Sequence, residues 1–134
     1  MSERDRNRAL VTEAFEAFQR GDVEAVNAGL DPEIEVMISD ELANSGEWVG
    51  VEGFWKSISS WLEAWDDYEI EVRSIDTPDD HHVIVEALQT ATGRASGVPV
   101  DLTTYFVFEV HDGISTRYEL HASRDAAMAA IAAH

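Results

Sequence analysis

The feature that most constrains the fold is a series of four segments between residues 68 and 121 in which apolar and polar residues alternate. The segments read YEIEVRSI, HHVIVEALQTATG, VPVDLTTYFVFEV and ISTRYELH, and short turn sequences separate them. Side chains of a β-strand point to opposite faces with a period of two, so each segment predicts a strand with one buried face. The last turn contains Asp112-Gly113, a pair typical of tight hairpins. The second half of the chain therefore predicts a mainly antiparallel sheet.

The first part of the chain has helical periodicity instead. Gly21 is expected to end the first helix, and Asp22 to cap a short second helix. Asp31-Pro32 should end the second helix, because proline disfavours helical geometry in the residue before it. Residues 33–38, EIEVMI, alternate as a half-buried strand. The apolar face of the first helix consists of Leu10, Val11, Ala14, Phe15 and Phe18.

A third helix is predicted from Val51 to Trp65, after a polar loop that covers residues 39–50. Its apolar stripe comprises Phe54, Ile58, Trp61, Leu62 and Trp65. The tryptophans at 48, 55, 61 and 65 are interpreted as core or interface residues, because large aromatic side chains bury the most area. Ser123 should cap a C-terminal alanine-rich helix. Helices followed by strands predict an α+β fold in one domain, residues 1–134, with a curved sheet packed against helices.

The charge balance limits the possible partners. The chain has 27 acidic and 9 basic residues, and a formal net charge of −18. Such a surface repels phosphate backbones, so no nucleic-acid partner is expected. No apolar run is long enough for a membrane span, so no membrane partner is expected. The cytoplasm is the predicted location. The composition is rich in acidic residues and poor in lysine. This pattern favours a protein adapted to a salt-rich cytoplasm over an acidic protein without such adaptation.

Motifs for cofactors and metals are absent from the sequence. It has no glycine-rich phosphate loop, no G-x-S-x-G, no dinucleotide fingerprint, no H-E-x-x-H and no cysteine. His81 and His82 are adjacent, so on a strand they would point to opposite faces, and we expect both to be exposed after a turn. His111 and His134 also lack the spacing of metal ligands. No cofactor and no metal site is predicted.

The order of segments resembles the SnoaL-like branch of the nuclear transport factor 2-like superfamily. The resemblance covers essentially the whole chain, and its strongest parts are WVGVEGFW…WLEAW, GRASGVPV and DGISTRYELHASRDAAM. It implies a cone-shaped fold, in which a strongly curved, mainly antiparallel sheet wraps around three N-terminal helices, with a short C-terminal helix. It also implies a deep apolar cavity between the sheet and the helices. The same scaffold serves isomerases, cyclases, hydrolases and binding proteins, so function must be argued from the cavity's polar groups.

The known activities of the superfamily require residues that this sequence lacks. By position, the catalytic base, tyrosine and second acid of ketosteroid isomerases fall on Ile38, Ala14 and Thr104. The carboxylate that limonene epoxide hydrolases carry on the final strand falls on Leu120, as does the base of the polyketide cyclases. Asp40 is the only carboxylate near the first of these positions. Neither ketosteroid isomerisation nor epoxide hydrolysis by those mechanisms is therefore expected.

The direction of the final strand decides which side chains face the cavity. Tyr118 and Leu120 are predicted to face it, because burying Arg117, Glu119 and His121 as unpaired charges would be costly. Those three are expected on the convex face, at the surface or in an interface. The predicted ligand-binding residues are Val36, Ile38, Trp48, Phe54, Ile58, Val85, Ala87, Gln89, Thr104, Phe106 and Leu120.

Two functions remain open at this point. The first is a cofactor-free isomerase- or cyclase-type enzyme acting by proton transfer, with Asp40 as base and Tyr118 as the donor that polarises an oxygen. The second is a non-catalytic protein that binds a small hydrophobic molecule, with Gln89 and Thr104 orienting it. The resemblance also implies a homodimer that forms through the convex sheet face.

Overall fold

Six strands form one curved sheet in the computed structural model, which describes residues 1–133. In space the strands run in the order β2-β1-β6-β5-β4-β3. Neighbouring strands are antiparallel, except that β1 and β6 are parallel. The strands are β1 (Leu30–Ile38), β2 (Gly46–Val49), β3 (Trp65–Asp76), β4 (His82–Gly93), β5 (Pro99–His111) and β6 (Ile114–His121).

Helices pack on both faces of this sheet. Three of them cover the concave face: α1 (Glu3–Gln19), α2 (Val23–Ala28) and α3 (Gly50–Leu62). The fourth, α4 (Arg124–Ala133), packs on the opposite face, where Ala127 and Ile131 contact Ile84 and Val107. The predicted α+β class and cone-shaped fold are confirmed. None of the helices in residues 1–133 has the length and hydropathy needed to cross a membrane.

Local sequence explains where several elements begin and end. The Ser2 hydroxyl accepts a hydrogen bond from the Asp5 backbone, and Asp22 accepts one from the Ala25 backbone. These contacts satisfy amides that a helix leaves unpaired at its N-terminus. Asp112 and Gly113 both have positive φ, as a two-residue hairpin of the primed type requires. The predicted hairpin and the Asp22 cap are confirmed.

Three boundaries differ from the prediction. Strand β1 begins at Leu30, before Pro32, because the Leu30 position already pairs with β6 and the ladder is interrupted between Leu30 and Glu35. The residues predicted as a polar loop contain the edge strand β2, which pairs with β1. Trp65 does not extend α3; it opens β3 opposite Gly93. In each case pairing with a distant strand overrides the local pattern.

The register of β6 places Tyr118 and Leu120 as predicted. They lie beside Val36 and Ile38 of β1, on the face that carries the main core. Glu119 and His121 lie on the opposite, convex face as predicted. The expectation that they would be exposed there, at the surface or in an interface, was wrong, since they are only 1% and 5% exposed.

The expectation for the histidine pair was half right. His81 is exposed, but His82 is buried. The His82 Nδ1 atom lies 2.9 Å from Asp79 Oδ2, and Nε2 lies 3.6 Å from Glu109 Oε1. Asp79 thus pairs with Nδ1, whereas the buried Nε2 atom has no hydrogen-bond partner in the described part of the chain. His134 lies outside the described residues.

Candidate ligand-binding cavity

A cavity of about 110 Å³ lies between the concave face of the sheet and helices α1, α2 and α3. Most of its lining is apolar. The helices contribute Leu10, Val11, Glu13, Ala14, Phe15, Phe18, Ala25, Val26, Gly29, Phe54, Ser57, Ile58, Trp61 and Leu62. The sheet contributes Leu30, Ile38, Tyr68, Ile70, Gln89, Phe106, Phe108, Ser115, Tyr118 and Leu120.

Aromatic rings form much of the cavity wall. The Phe15 ring lies edge-on to Phe106, with 5.2 Å between the ring centroids. Tyr118 lies edge-on to both Phe54 and Phe108, with centroid separations of 5.3 Å. Edge-to-face pairs at these separations are favourable, so the rings hold one another in place. The wall is therefore a preorganised aromatic surface built from α1, α3, β5 and β6.

The main polar group of the cavity is the Gln89 side chain on β4. Its Oε1 atom accepts hydrogen bonds from Trp61 Nε1, at 2.8 Å, and from the Tyr68 hydroxyl. Its Nε2 atom donates to Thr104 Oγ1 at 2.7 Å. Trp61 Nε1 is only a donor, so the network fixes which end of the amide is oxygen. One buried amide thereby connects α3, β3 and β5.

Tyr118 is a further polar residue of the lining, together with Ser57, Tyr68 and Ser115. The Tyr118 hydroxyl has no hydrogen-bond partner within residues 1–133. Burial is the main cause that raises the pKa of Tyr118 far above its usual range, and the neighbouring Tyr68 raises it further. Burial also raises the pKa of Tyr68, against a smaller opposite effect of its hydrogen-bonding environment. Both phenols are therefore neutral near pH 7, and they act as hydrogen-bonding groups rather than as bases.

Charge is nearly absent from the cavity. Among the described residues, Glu13 is the one charged side chain that lines it, and this residue is exposed on α1. Its carboxylate pairs with Arg20 at 2.8 Å. Within residues 1–133, no group of three or more His, Asp or Glu side chains is arranged to hold a metal ion.

The structure brings seven of the predicted site residues together around the cavity: Ile38, Phe54, Ile58, Gln89, Phe106, Tyr118 and Leu120. Val36, Val85 and Ala87 are buried in the adjoining core without lining it. Thr104 also lies behind the wall, where it accepts the hydrogen bond from Gln89. Asp40 is exposed after β1 and does not line the cavity.

Trp48 likewise lies outside the cavity, although it was predicted to be a ligand-binding residue. Its indole ring packs over Gly46, where an added Cβ would come within 3.0 Å of the ring. A Cβ atom added at Gly53 would lie equally close to the Trp48 Cβ atom. Trp48 therefore helps to join β2 to α3.

Sequence reasoning missed Tyr68, Trp61 and Phe108 as cavity residues. One signal was available for Tyr68. It shares a face with Ile70 by alternation, and Ile70 pairs with Gln89 in the β3–β4 register. That register becomes known only once the strands are paired, since strand alternation alone does not identify cross-strand neighbours.

The charged residues of β6 form a separate network on the sheet face opposite the cavity. Arg117 Nη1 donates to Glu119 Oε2 at 3.1 Å, and His121 Nε2 lies 2.8 Å from Glu119 Oε1. Arg117 also pairs with the exposed Glu35 at 2.8 Å. Burial acts to raise the pKa of Glu119, but the contacts with His121 and Arg117 outweigh it and lower that pKa below the usual value. The buried Glu119 carboxylate thus has a partner at each of its two oxygens.

A curved, mostly antiparallel sheet packed against three N-terminal helices gives this protein the nuclear transport factor 2-like fold. The SnoaL-like domain model matches residues 11–118, most of the chain, so the protein belongs to the SnoaL-like domain family. No curated protein matches the sequence significantly.

Solved structures support the same fold at low sequence identity. Bal32a, from a soil-derived mobile gene cassette, is 20% identical with a TM-score of 0.80, over 95% of this chain and 96% of its own. TerC, co-crystallised with polyporic acid, is 18% identical with a TM-score of 0.75, over 95% and 98%. A candidate polyketide cyclase from Xanthomonas campestris is 22% identical with a TM-score of 0.70, over 96% and 98%.

Proposed function

We propose that this protein binds a small, neutral, largely apolar organic molecule in the cavity between the sheet and helices α1 to α3. The observation that carries the proposal is an aromatic cavity with a few convergent polar groups, Gln89 and Tyr118. Such a combination is typical of small-molecule sites, where apolar walls give affinity and polar groups give orientation. TerC shares the fold and was co-crystallised with polyporic acid, so the fold is compatible with holding an organic molecule.

The cavity volume limits the size of the ligand. A dry cavity of roughly 150 Å³ lined by Leu, Ile and Phe binds benzene. The 110 Å³ here would hold a single ring, with further atoms reaching the mouth beside half-buried side chains of α1 and α3 such as Phe18 and Ile58. We therefore expect a ligand with one ring rather than several fused rings.

Binding is favoured over catalysis by the chemistry of the lining. A general base must reach the proton that it removes. Gln89 is not a base, the two phenols are neutral, and Glu13 is exposed at the rim. A cofactor-free enzyme that uses Asp40 as base stays a prediction, and the exposed position of Asp40 does not favour it.

Calorimetric titration with α-methylstyrene, a neutral single-ring compound, tests the proposal. We expect saturable binding to the native protein and its loss in Ile58→Trp, where the larger side chain would fill the cavity. Ser59→Trp adds the same group at an exposed position of α3 and should leave binding unchanged. No binding up to the solubility limit of α-methylstyrene, or equal binding to Ile58→Trp, would exclude this site.

We also propose that two copies associate through the part of the convex face that α4 leaves open. Helix α4 covers Ile84 and Val107, so a partner would contact the remaining half-buried side chains, including Leu88 and Thr103. Light scattering should then give twice the chain mass of 14.9 kDa, and Leu88→Arg should reduce it to the monomer. A native protein that is monomeric at high concentration would contradict this proposal.

A further inference from the structure

We propose that the cavity selects ligands with a hydrogen-bond-accepting oxygen, of the aromatic ketone class, and that Tyr118 donates to that oxygen. This inference rests on the proposed binding function and adds the chemical class of the ligand. It follows from two of the hydrogen-bonding positions that the protein leaves open at the cavity, those of Tyr118 and Gln89.

The first open position is the Tyr118 hydroxyl. The side chain is 7% exposed, and Phe54, Phe106 and Phe108 surround its ring. None of these phenylalanines can pair with the hydroxyl, and no other residue in the described part of the chain does. The hydroxyl oxygen is not sealed within the protein, so a molecule in the cavity could reach it and supply the partner that a largely buried hydroxyl needs.

The second open position belongs to Gln89. Both acceptor sites of its carbonyl oxygen are occupied, by Trp61 Nε1 and the Tyr68 hydroxyl. One of its two N–H groups donates to Thr104, so the other N–H remains. This group is only a donor. A ligand oxygen that accepts could therefore be satisfied by Gln89 and Tyr118 alike, whereas of these two groups only Tyr118 could accept a hydrogen bond from a ligand donor.

The absence of charge near these two groups further narrows the ligand. Tyr118 stays protonated because burial raises its pKa, so its O–H remains available as a donor. The one charged lining residue in the described part of the chain, Glu13, would repel an anion at the mouth and is already paired with Arg20. A carboxylate or phosphate is thus disfavoured, and a neutral carbonyl oxygen fits.

A matched ligand pair tests this inference. Acetophenone and α-methylstyrene have nearly the same shape, but only acetophenone presents an accepting oxygen. Both should be titrated calorimetrically into the native protein, Tyr118→Phe and, as a control on the opposite sheet face, Tyr105→Phe. Comparing two proteins with the same two ligands cancels the different hydration of the ligands.

We expect Tyr118→Phe to weaken acetophenone binding about fivefold and to change α-methylstyrene binding by less than about twofold, as one neutral hydrogen bond implies. Tyr105→Phe should change neither. Unchanged α-methylstyrene binding also shows that the Tyr118→Phe variant is folded. If Tyr118→Phe affects both ligands equally, or neither, the ketone inference is overturned while the binding function stands. If neither ligand binds the native protein, the proposed function itself fails.

Discussion

At the residue scale, Gln89 connects more of the molecule than any neighbouring side chain of β4. Its amide joins Trp61 of α3, Tyr68 of β3 and Thr104 of β5 within one buried network. A low local dielectric makes each of these hydrogen bonds stronger and each unpaired member more costly. Removing the amide should therefore affect stability as well as ligand recognition.

Gln89→Leu is expected to lower the free energy of unfolding by roughly 2–4 kcal/mol, because the Trp61 N–H and the Thr104 hydroxyl lose a buried partner. Urea unfolding followed by tryptophan fluorescence would measure the loss as a lower midpoint at constant slope. Thr90→Ala, on the opposite face of the same strand, serves as control and should change stability by less than about 0.5 kcal/mol. Equal effects of the two substitutions would contradict a special role of Gln89.

Glu119 makes the stability of the fold depend on pH, and a substitution can isolate this effect. The pKa of Glu119 in the folded state lies below the usual value of 4.5. Its contribution to the free energy of unfolding is therefore complete above about pH 4.5, and it is lost as the pH falls through the lower, folded-state pKa. Glu119→Gln should lower stability at neutral pH by about 3 kcal/mol, since Arg117 and His121 lose their shared partner. The stability of the variant should also depend less on pH below 4.5.

The urea midpoints of Glu119→Gln and of the native protein should be measured at several pH values between about 3 and 7. The two midpoints should differ at neutral pH and converge as the pH falls. Glu47→Gln, at an exposed position of β2, should follow the native curve. Curves of Glu119→Gln and the native protein that stay parallel to low pH would rule out the proposed contribution.

The same residues show what sequence could and could not predict about the site. Alternation correctly placed Tyr118 and Leu120 toward the cavity, because one face of β6 had to join the apolar core. The cost of burial was misjudged for Glu119 and His121, since residues two apart on a strand share a face, and here Arg117 and His121 both contact the Glu119 carboxylate. The role of Tyr68 depends on the β3–β4 register, which local periodicity does not contain.

At the element scale, α4 is held separately from the main core. Ala127 and Ile131 contact Ile84 and Val107 in a small apolar cluster on the outer face. Arg124 adds a contact with the Tyr105 ring, 5.7 Å from its centroid. Elements with few buried contacts open locally more readily than the rest of a structure. Helix α4 should therefore be the least protected of the longer helices.

Ile131→Ala should weaken the attachment of α4 by about 2 kcal/mol, because it removes much of the helix's contact with the sheet. Hydrogen exchange read by mass spectrometry should then show faster exchange in residues 124–133 and unchanged exchange in β5. Met128→Ala, at a 40% exposed position of the same helix, provides the control. Faster exchange throughout the sheet would mean that α4 and the core unfold as one unit.

Element boundaries were predictable where one period ran uninterrupted, as in the strands between residues 68 and 121. The boundary predictions were wrong at junctions between one element and the next. Trp65 fits both the apolar stripe of α3 and the first position of β3, and its pairing with Gly93 decides between them. The short strand β2 has too few residues for alternation to be visible, and only its ladder with β1 defines it.

At the scale of the whole molecule, the excess of negative charge opposes compaction. The net charge is −18, and most ion pairs in residues 1–133 are exposed and individually weak. Mutual repulsion of surface carboxylates destabilises the folded state, and added salt screens it. Adaptation to a salt-rich cytoplasm stays a prediction that this property motivates, and the cytoplasmic location itself also stays a prediction.

We expect the urea midpoint to rise steadily between about 0.1 and 1 M KCl, because screening relieves the repulsion. The variant Asp67→Asn with Glu69→Gln removes two exposed charges from β3, and its midpoint should rise less with KCl. A native midpoint that is flat or falls with KCl would show that repulsion is not what limits stability.

The cavity between the sheet and α1 to α3 has a consequence for the lifetime of the protein in a cell. A ligand that binds only the folded form shifts the folding equilibrium by mass action, by about 2.7 kcal/mol at a hundredfold excess over its dissociation constant. About a hundredfold fewer chains would then be unfolded and open to proteases. Copy number would follow the supply of the ligand without any change in transcription, so a cell starved of the compound would clear the unused protein.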